Sequence, residues 1–222
     1  MDTYGPLRAQ CFEMLTKAIL SRRMTGDGMR AIIDHCARAT GHECWGTLGR
    51  LDFRADVARI KGGLSEIGMN APPPLRARSM VMQLFCPGHC EAQGVAQYTC
   101  DIQLVYFGNE HPYSDIDEGI DVVWVNGGED RTPAHSAVTA ATYRALQRWT
   151  GDVPSFAEYI VCLCFVAMAA AECMGDLAGQ LPWVRVGSCN VEAAWQNGDC
   201  VSVGRIASGT FLADVRCPGC LA

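Results

Sequence analysis

A secretory signal is the first thing that this sequence lacks. Residues 2–23 mix six charged side chains into the apolar positions, so they contain no hydrophobic signal region. The chain also lacks an apolar run of about 20 residues, the length that a bilayer requires. Its longest apolar run, residues 159–171, has glutamates at both edges and predicts a core helix buried on nearly all sides. These absences predict an intracellular, cytoplasmic protein without a membrane segment.

Recognisable catalytic motifs are absent as well. The sequence has no phosphate-binding loop, no dinucleotide-binding glycine pattern, no nucleophile elbow and no zinc-protease motif. A nucleophilic cysteine needs a histidine partner, and no histidine follows His135. The remaining pairs join Cys86 or Cys90 to His111 or His135. An alternative function is therefore a hydrolase or transferase whose site is assembled from these distant residues.

Basic side chains are scarce in the second part of the chain. Residues 1–80 contain 12 basic and 8 acidic side chains, whereas residues 81–222 contain 6 basic and 16 acidic ones. Residues 110–130 contain seven acids and no lysine or arginine. Because phosphate contacts need cations, this distribution disfavours nucleic-acid binding, except weakly through residues 1–70. The expected partner is another protein with a basic surface, or a second copy of the chain.

The acidic segment is the predicted partner-binding surface. The spacing of its carboxylates does not fit the ligand positions of an EF-hand, so we interpret the segment as a solvated loop that steers a cationic partner. Its predicted contact residues are Glu110, Asp115, Asp117, Glu118 and Asp121.

Cysteine, by contrast, is abundant. The chain has 13 cysteines, and an odd number without a secretory signal predicts reduced thiols rather than a disulfide framework. Two short clusters share the letters Cys-Pro-Gly, namely Cys86-Pro-Gly-His89-Cys90 and Cys217-Pro-Gly-Cys220. Zinc knuckles use such turns, so Cys86, Cys90 (or His89), Cys217 and Cys220 are candidate ligands of a structural zinc ion. The competing interpretation is two proline-glycine turns with incidental thiols.

A second group of cysteines and histidines lies between residues 35 and 44. His35 and Cys36 are adjacent on a predicted helix, so their side chains point about 100° apart and do not easily share one ion. We interpret Cys36 as a core residue, and His35 and His42 as partly buried side chains rather than metal ligands.

The order of the predicted elements favours an α+β fold. Amphipathic helices at 4–23, after Asp27 and at 52–66 form a helical N-terminal unit, residues 1–70. The proline run 72–74 separates this unit from an antiparallel-sheet body, residues 75–222. The helical unit is expected to pack on the body, which has two central helices near 133–150 and 155–176 and predicted strands at 79–85, 98–106, 120–125, 183–186, 200–206 and 211–217.

Local signals also predict where the two central helices begin. Thr132 followed by Pro133 is typical of a capped helix start, and Ser155 with Glu158 forms a capping-box pattern. Together, the missing catalytic motifs and the uneven charge favour a non-enzymatic protein–protein interaction module. Such a module could be an inhibitor or immunity-type antagonist, a viral accessory factor or an assembly subunit.

Overall fold

A computed structural model describes most of the chain. The described residues are 3–70, 76–84, 88–92, 95–99, 101–110, 122–125, 134–180, 188–195 and 199–217. The helices are α1 Gly5–Leu20, α2 Thr25–Thr40, α3 Cys44–Leu48, α4 Phe53–Asn70, α5 Ala137–Leu146 and α6 Asp152–Leu177. The strands are β1 Ser79–Leu84, β2 Gly88–Ala92, β3 Val95–Thr99, β4 Asp101–Phe107, β5 Val122–Val125, β6 Ala134–His135, β7 Ser188–Trp195, β8 Asp199–Ala207 and β9 Thr210–Arg216.

The strands form one large mixed sheet and one separate hairpin. In the large sheet the order is β5-β4-β1-β7-β8-β9, with β6 also paired to β4, while β2 pairs with β3 alone. All pairs are antiparallel except β1 with β7, which is parallel. A parallel pair needs a long crossover, and the chain between β1 and β7 includes α5 and α6. The predicted α+β class is therefore confirmed, with one parallel pair added to the antiparallel sheet.

Helix α6 is the centre of the molecule. All its residues from Ile160 to Ala171 are buried, and it contacts α1, α2, α4, α5 and four strands of the large sheet. The helix is long and apolar enough to cross a bilayer, but 78% of its most apolar window is buried inside the fold. It is therefore the core helix that the sequence predicts.

The N-terminal helices share one hydrophobic core with the rest of the chain. The main cluster of buried side chains extends from Cys11 in α1 to Cys217 after β9 and includes residues of α2, α4 and α6. Apolar faces at helical spacing explain α1, α2 and α4, because each helix buries one side of its surface against this cluster. The predicted division at the proline run falls on residues outside the described part and stays a prediction.

Both central helices begin elsewhere than local signals predicted. Helix α5 begins at Ala137 with Ser136 as its N-cap, because the Ser136 hydroxyl accepts a hydrogen bond from the Thr139 backbone N–H at 3.0 Å. Helix α6 begins at Asp152, after Gly151 in a positive-φ conformation (φ 111°). Ser155 therefore lies inside the first turn, where its hydroxyl donates to the Gly151 carbonyl at 3.2 Å.

The strand predictions also needed revision. The single strand predicted at 98–106 is divided between β3, which pairs with β2, and β4, which pairs with β1. Strand β7 was not predicted, and the strand predicted at 183–186 falls outside the described residues. The strands predicted at 79–85, 120–125, 200–206 and 211–217 correspond to β1, β5, β8 and β9.

Candidate functional site

The first part of the acidic segment, residues 110–121, lies in the sequence between two neighbouring strands near one edge of the large sheet, and the rest of the segment includes the second of these strands, β5. Strand β4 ends at Phe107, and β5, the edge strand of the ordered path, begins at Val122. Of the five predicted contact residues, Glu110 lies in the described part and is exposed. The other four, Asp115, Asp117, Glu118 and Asp121, lie outside the described residues.

The start of this segment is fixed to the sheet by hydrogen bonds. The Ser79 hydroxyl donates to the Asn109 carbonyl at 2.7 Å, and the Asn190 side-chain amide donates to the Glu110 carbonyl at 3.0 Å. The Glu110 carboxylate forms an ion pair with Arg78 at 3.4 Å, and both side chains are more than half exposed. Exposed ion pairs contribute about 0–1 kcal/mol, so Arg78 neutralises this carboxylate only weakly.

The strands that precede the two Cys-Pro-Gly sequences end at the same rim of the sheet. Leu84 at the end of β1 pairs with Trp195, Trp195 pairs with Asp199 at the start of β8, and Arg216 at the end of β9 pairs with Ser202. The strands that precede Cys86 and Cys217 therefore end on one side, as the zinc hypothesis requires.

The same topology also separates the ends of the two strands. Two strands, β7 and β8, lie between β1 and β9, so the strand ends are roughly 14 Å apart at a strand spacing of about 4.8 Å. Cys217 is buried in the main core, Cys90 and His89 belong to β2, and Cys86 and Cys220 lie outside the described residues. Among the residues that the structure describes, no three metal-ligating side chains are grouped together. Zinc therefore stays a prediction.

The cluster around His35 and His42 is organised by ordinary hydrogen bonds. His35 contacts the Gln10 side-chain oxygen through Nε2 at 2.9 Å, and His42 Nδ1 accepts from the Cys44 backbone N–H at 3.1 Å. The Cys36 sulfur lies 3.3 Å from the Cys11 sulfur inside the core. These side chains are partly buried or core residues, in agreement with the interpretation from sequence.

Several of the buried thiols are held in their protonated state. Burial raises the pKa of Cys44 to about 11 and the pKa values of Cys173 and Cys189 to about 12. The hydrogen bond between Cys11 and Cys36 lowers the pKa of Cys11 and raises that of Cys36, which corresponds to Cys36 as the donor. A protonated thiol is a poor nucleophile, so the thiols with raised pKa values act as apolar core residues.

Two residues of the cysteine–histidine pairs of the alternative function, Cys90 and His135, lie in described strands. Cys90 lies in β2, which pairs with β3, whereas His135 lies in β6, which pairs with β4. Cys86 and His111 lie outside the described residues. The hydrolase or transferase alternative therefore stays a prediction.

Asp56 is a buried carboxylate that the sequence interpretation did not include. It lies in α4, is 1% exposed, and accepts hydrogen bonds from the Ser136 hydroxyl at 2.7 Å and from the backbone N–H groups of Ala137 at 2.9 Å and Val138 at 3.1 Å. It also pairs with Arg59. Asp56 therefore ties α4 to the positive end of α5. The sequence does contain a signal for a buried Asp56, because this residue lies three positions after Phe53, on the apolar face of the predicted helix.

A cleft elsewhere in the fold was also not predicted. It lies between the α1–α2 turn, the C-terminal end of α6 and the β8–β9 turn, and its volume is about 520 Å³. Its apolar wall and its two arginines, Arg22 and Arg23, come from segments that are far apart in the sequence.

Comparison of the chain with protein-family models, curated proteins and solved structures finds no match to any of them. The proposals below therefore depend on the sequence and the geometry of this structure alone.

Proposed function

We propose that this chain is an intracellular, non-enzymatic protein–protein interaction module. In this proposal, the acidic segment, residues 110–130, contacts a basic surface on a partner protein or on a second copy of the chain. The observation that carries the proposal is a concentration of seven acids without a lysine or arginine in that segment. Uncompensated charge of one sign attracts and orients a partner of the opposite sign.

The fold gives this segment a rigid base. Strand β1 pairs with β4 along the whole length of β1, and Asn109 and Glu110 are held by Ser79 and Asn190. Loops on a rigid scaffold commonly carry binding function, because the scaffold limits the entropy that binding removes. This arrangement supports the role of an inhibitor, an accessory factor or an assembly subunit, each of which acts through contact.

The proposal is tested by reversing the charge of the segment. A variant with Asp115→Lys, Asp117→Lys, Glu118→Lys and Asp121→Lys should lose partner binding while its thermal unfolding remains cooperative. A control variant with Glu13→Lys, Asp34→Lys, Glu66→Lys and Asp152→Lys changes four exposed acids elsewhere and alters the net charge equally. The measurement is quantitative affinity purification with cross-linking, followed by titration of each purified partner at several salt concentrations.

The expected result is a partner that binds the original chain and the control variant, and whose affinity falls as salt rises. That partner should bind the segment variant at least tenfold more weakly. Equal retention of every partner by the segment variant would reject the proposal.

A further inference from the structure

The cleft formed by the α1–α2 turn, the end of α6 and the β8–β9 turn has the chemistry of a ligand site. We propose that it binds a small apolar carboxylate, that is, a molecule with an apolar chain and one anionic head group. This goes beyond the proposed function, since the cleft and the acidic segment share no residue.

The size and the lining of the cleft suit an apolar chain. Its volume of about 520 Å³ lies in the range of roughly 300–1,000 Å³ that is typical of small-molecule sites. Ile19, Met168, Ala171 and Phe211 form an apolar wall, and each is buried within the fold. An apolar ligand chain would leave water when it binds in this cleft, which is favourable. Because the wall is apolar, the chain would break no hydrogen bond of the wall.

The charged side chains of the cleft favour an anion. Glu172 accepts a hydrogen bond from the Thr25 backbone N–H at 2.6 Å, and Asp176 forms an ion pair with Lys61 at 2.5 Å. Both carboxylates therefore already have a partner within the protein. Arg22 and Arg23 are exposed, and within the described part of the chain their side chains form no hydrogen bond or ion pair. The cationic groups that remain available suit a carboxylate, which arginine binds through two parallel hydrogen bonds.

The backbone of Arg22 is a second, independent observation. Its N–H bonds the Ile19 carbonyl at 3.0 Å and the Arg23 N–H bonds the Ala18 carbonyl at 2.9 Å, so α1 ends in a Schellman motif. Arg22 occupies the left-handed position of this motif at φ 53°, where glycine is the favoured residue. An arginine at this position costs stability, which indicates a role for its side chain outside the fold.

Two substitutions test the site without threatening the fold. Arg22→Gly removes one cation and relieves the left-handed backbone, so its melting temperature should stay equal or rise. Gly175→Leu fills the cleft from α6, because a Cβ at this exposed glycine meets no atom within 4 Å. Replacing a helical glycine also favours the helix. Gly62→Leu in α4 is the matched control, since its Cβ also meets open space.

The probes are decanoate and decyltrimethylammonium, which have equal apolar chains and opposite charges. Calorimetric titration should show that the original chain binds decanoate and binds the cation at least tenfold more weakly. Arg22→Gly and Gly175→Leu should each weaken decanoate binding at least tenfold, whereas Gly62→Leu should bind as the original chain does. The charge-reversed acidic segment should leave decanoate binding unchanged, which separates this inference from the proposed function.

Three results would each overturn the inference. They are no decanoate binding by the original chain, equal binding of both probes, and variants with unaltered melting temperature that bind decanoate as tightly as the original chain.

Discussion

We expect Asp56→Ala to lower the free energy of unfolding by about 3–5 kcal/mol, because several hydrogen bonds to one charged acceptor are lost and a buried N–H donor is left without its acceptor. The substitution removes the acceptor of the Ser136 hydroxyl and of two backbone N–H groups at the start of α5. The Val138 N–H is buried, so water does not readily replace the lost acceptor. Urea unfolding followed by circular dichroism measures the change.

Asp52→Ala is the matched control for this prediction. Asp52 is exposed and accepts one hydrogen bond, from the Ala55 backbone N–H at 3.1 Å. Its role is therefore limited to capping the start of α4. Losing such a cap costs about 1 kcal/mol. Equal losses for the two alanine variants would contradict the role that we give to Asp56, namely holding α4 and α5 together.

We expect Gly204→Ala to lower the free energy of unfolding by about 2–5 kcal/mol, the sum of backbone strain and overpacking. Gly204 has φ 154° and lies in β8 at a register shift in the pairing with β9. A Cβ at this position would lie 2.4 Å from the Leu212 carbonyl oxygen and 2.9 Å from the Phe211 ring. Backbone cannot move away as a flexible side chain does, so the β8–β9 pairing must distort. Thermal and urea unfolding both report the loss.

Gly28→Ala provides the contrast. A Cβ at Gly28 would meet the terminal methyl and the sulfur of Met168, which is the flexible end of a side chain, and alanine favours helix α2 by about 1 kcal/mol. We expect its stability to stay within about 1 kcal/mol of that of the original chain. A larger loss of stability for Gly28→Ala than for Gly204→Ala would show that the sheet tolerates the added Cβ atom. Our account of the register shift at Gly204 would then be wrong.

Much of the fold follows from local patterns in the sequence. The apolar positions of α1, α2 and α4 recur at helical spacing, and the apolar run of α6 is too long for a strand and is flanked by acids. Alternating apolar residues indicate β8 and β9 together with their turns. These elements can be predicted from residues that are close together in the sequence, since each element buries one face or one complete segment.

The errors have non-local causes. Thr132 and Pro133 give a strong local start signal, yet α5 begins at Ala137, where Asp56 of a distant helix binds its free N–H groups. Strand β7 escapes prediction because Glu192 is buried in the middle of it, next to Cys200, and interrupts the expected alternation. Its parallel pairing with β1 joins segments more than 100 residues apart, which no short window reveals.

The candidate sites also differ in how far the sequence alone could predict them. The charge of the acidic segment is visible in composition alone, whereas the zinc hypothesis depends on whether two turns at one rim meet. The cleft could not be predicted, because Arg22, Gly175 and Phe211 come from three separate parts of the chain. Only the backbone conformation shows that Arg22 occupies a position suited to glycine.

The most direct test of the account measures how fast each cysteine reacts with iodoacetamide at neutral pH, in the native protein and in urea, with sites identified by mass spectrometry. Nine cysteines, those whose side chains the structure describes, are all buried, and we expect each to react more slowly in the native protein than in urea. If the chain is a non-enzymatic interaction module, no cysteine, including Cys86 and Cys90, should react faster in the native protein than in urea. Faster native reaction of Cys86 or Cys90 would reveal an activated thiolate and would contradict a non-enzymatic function.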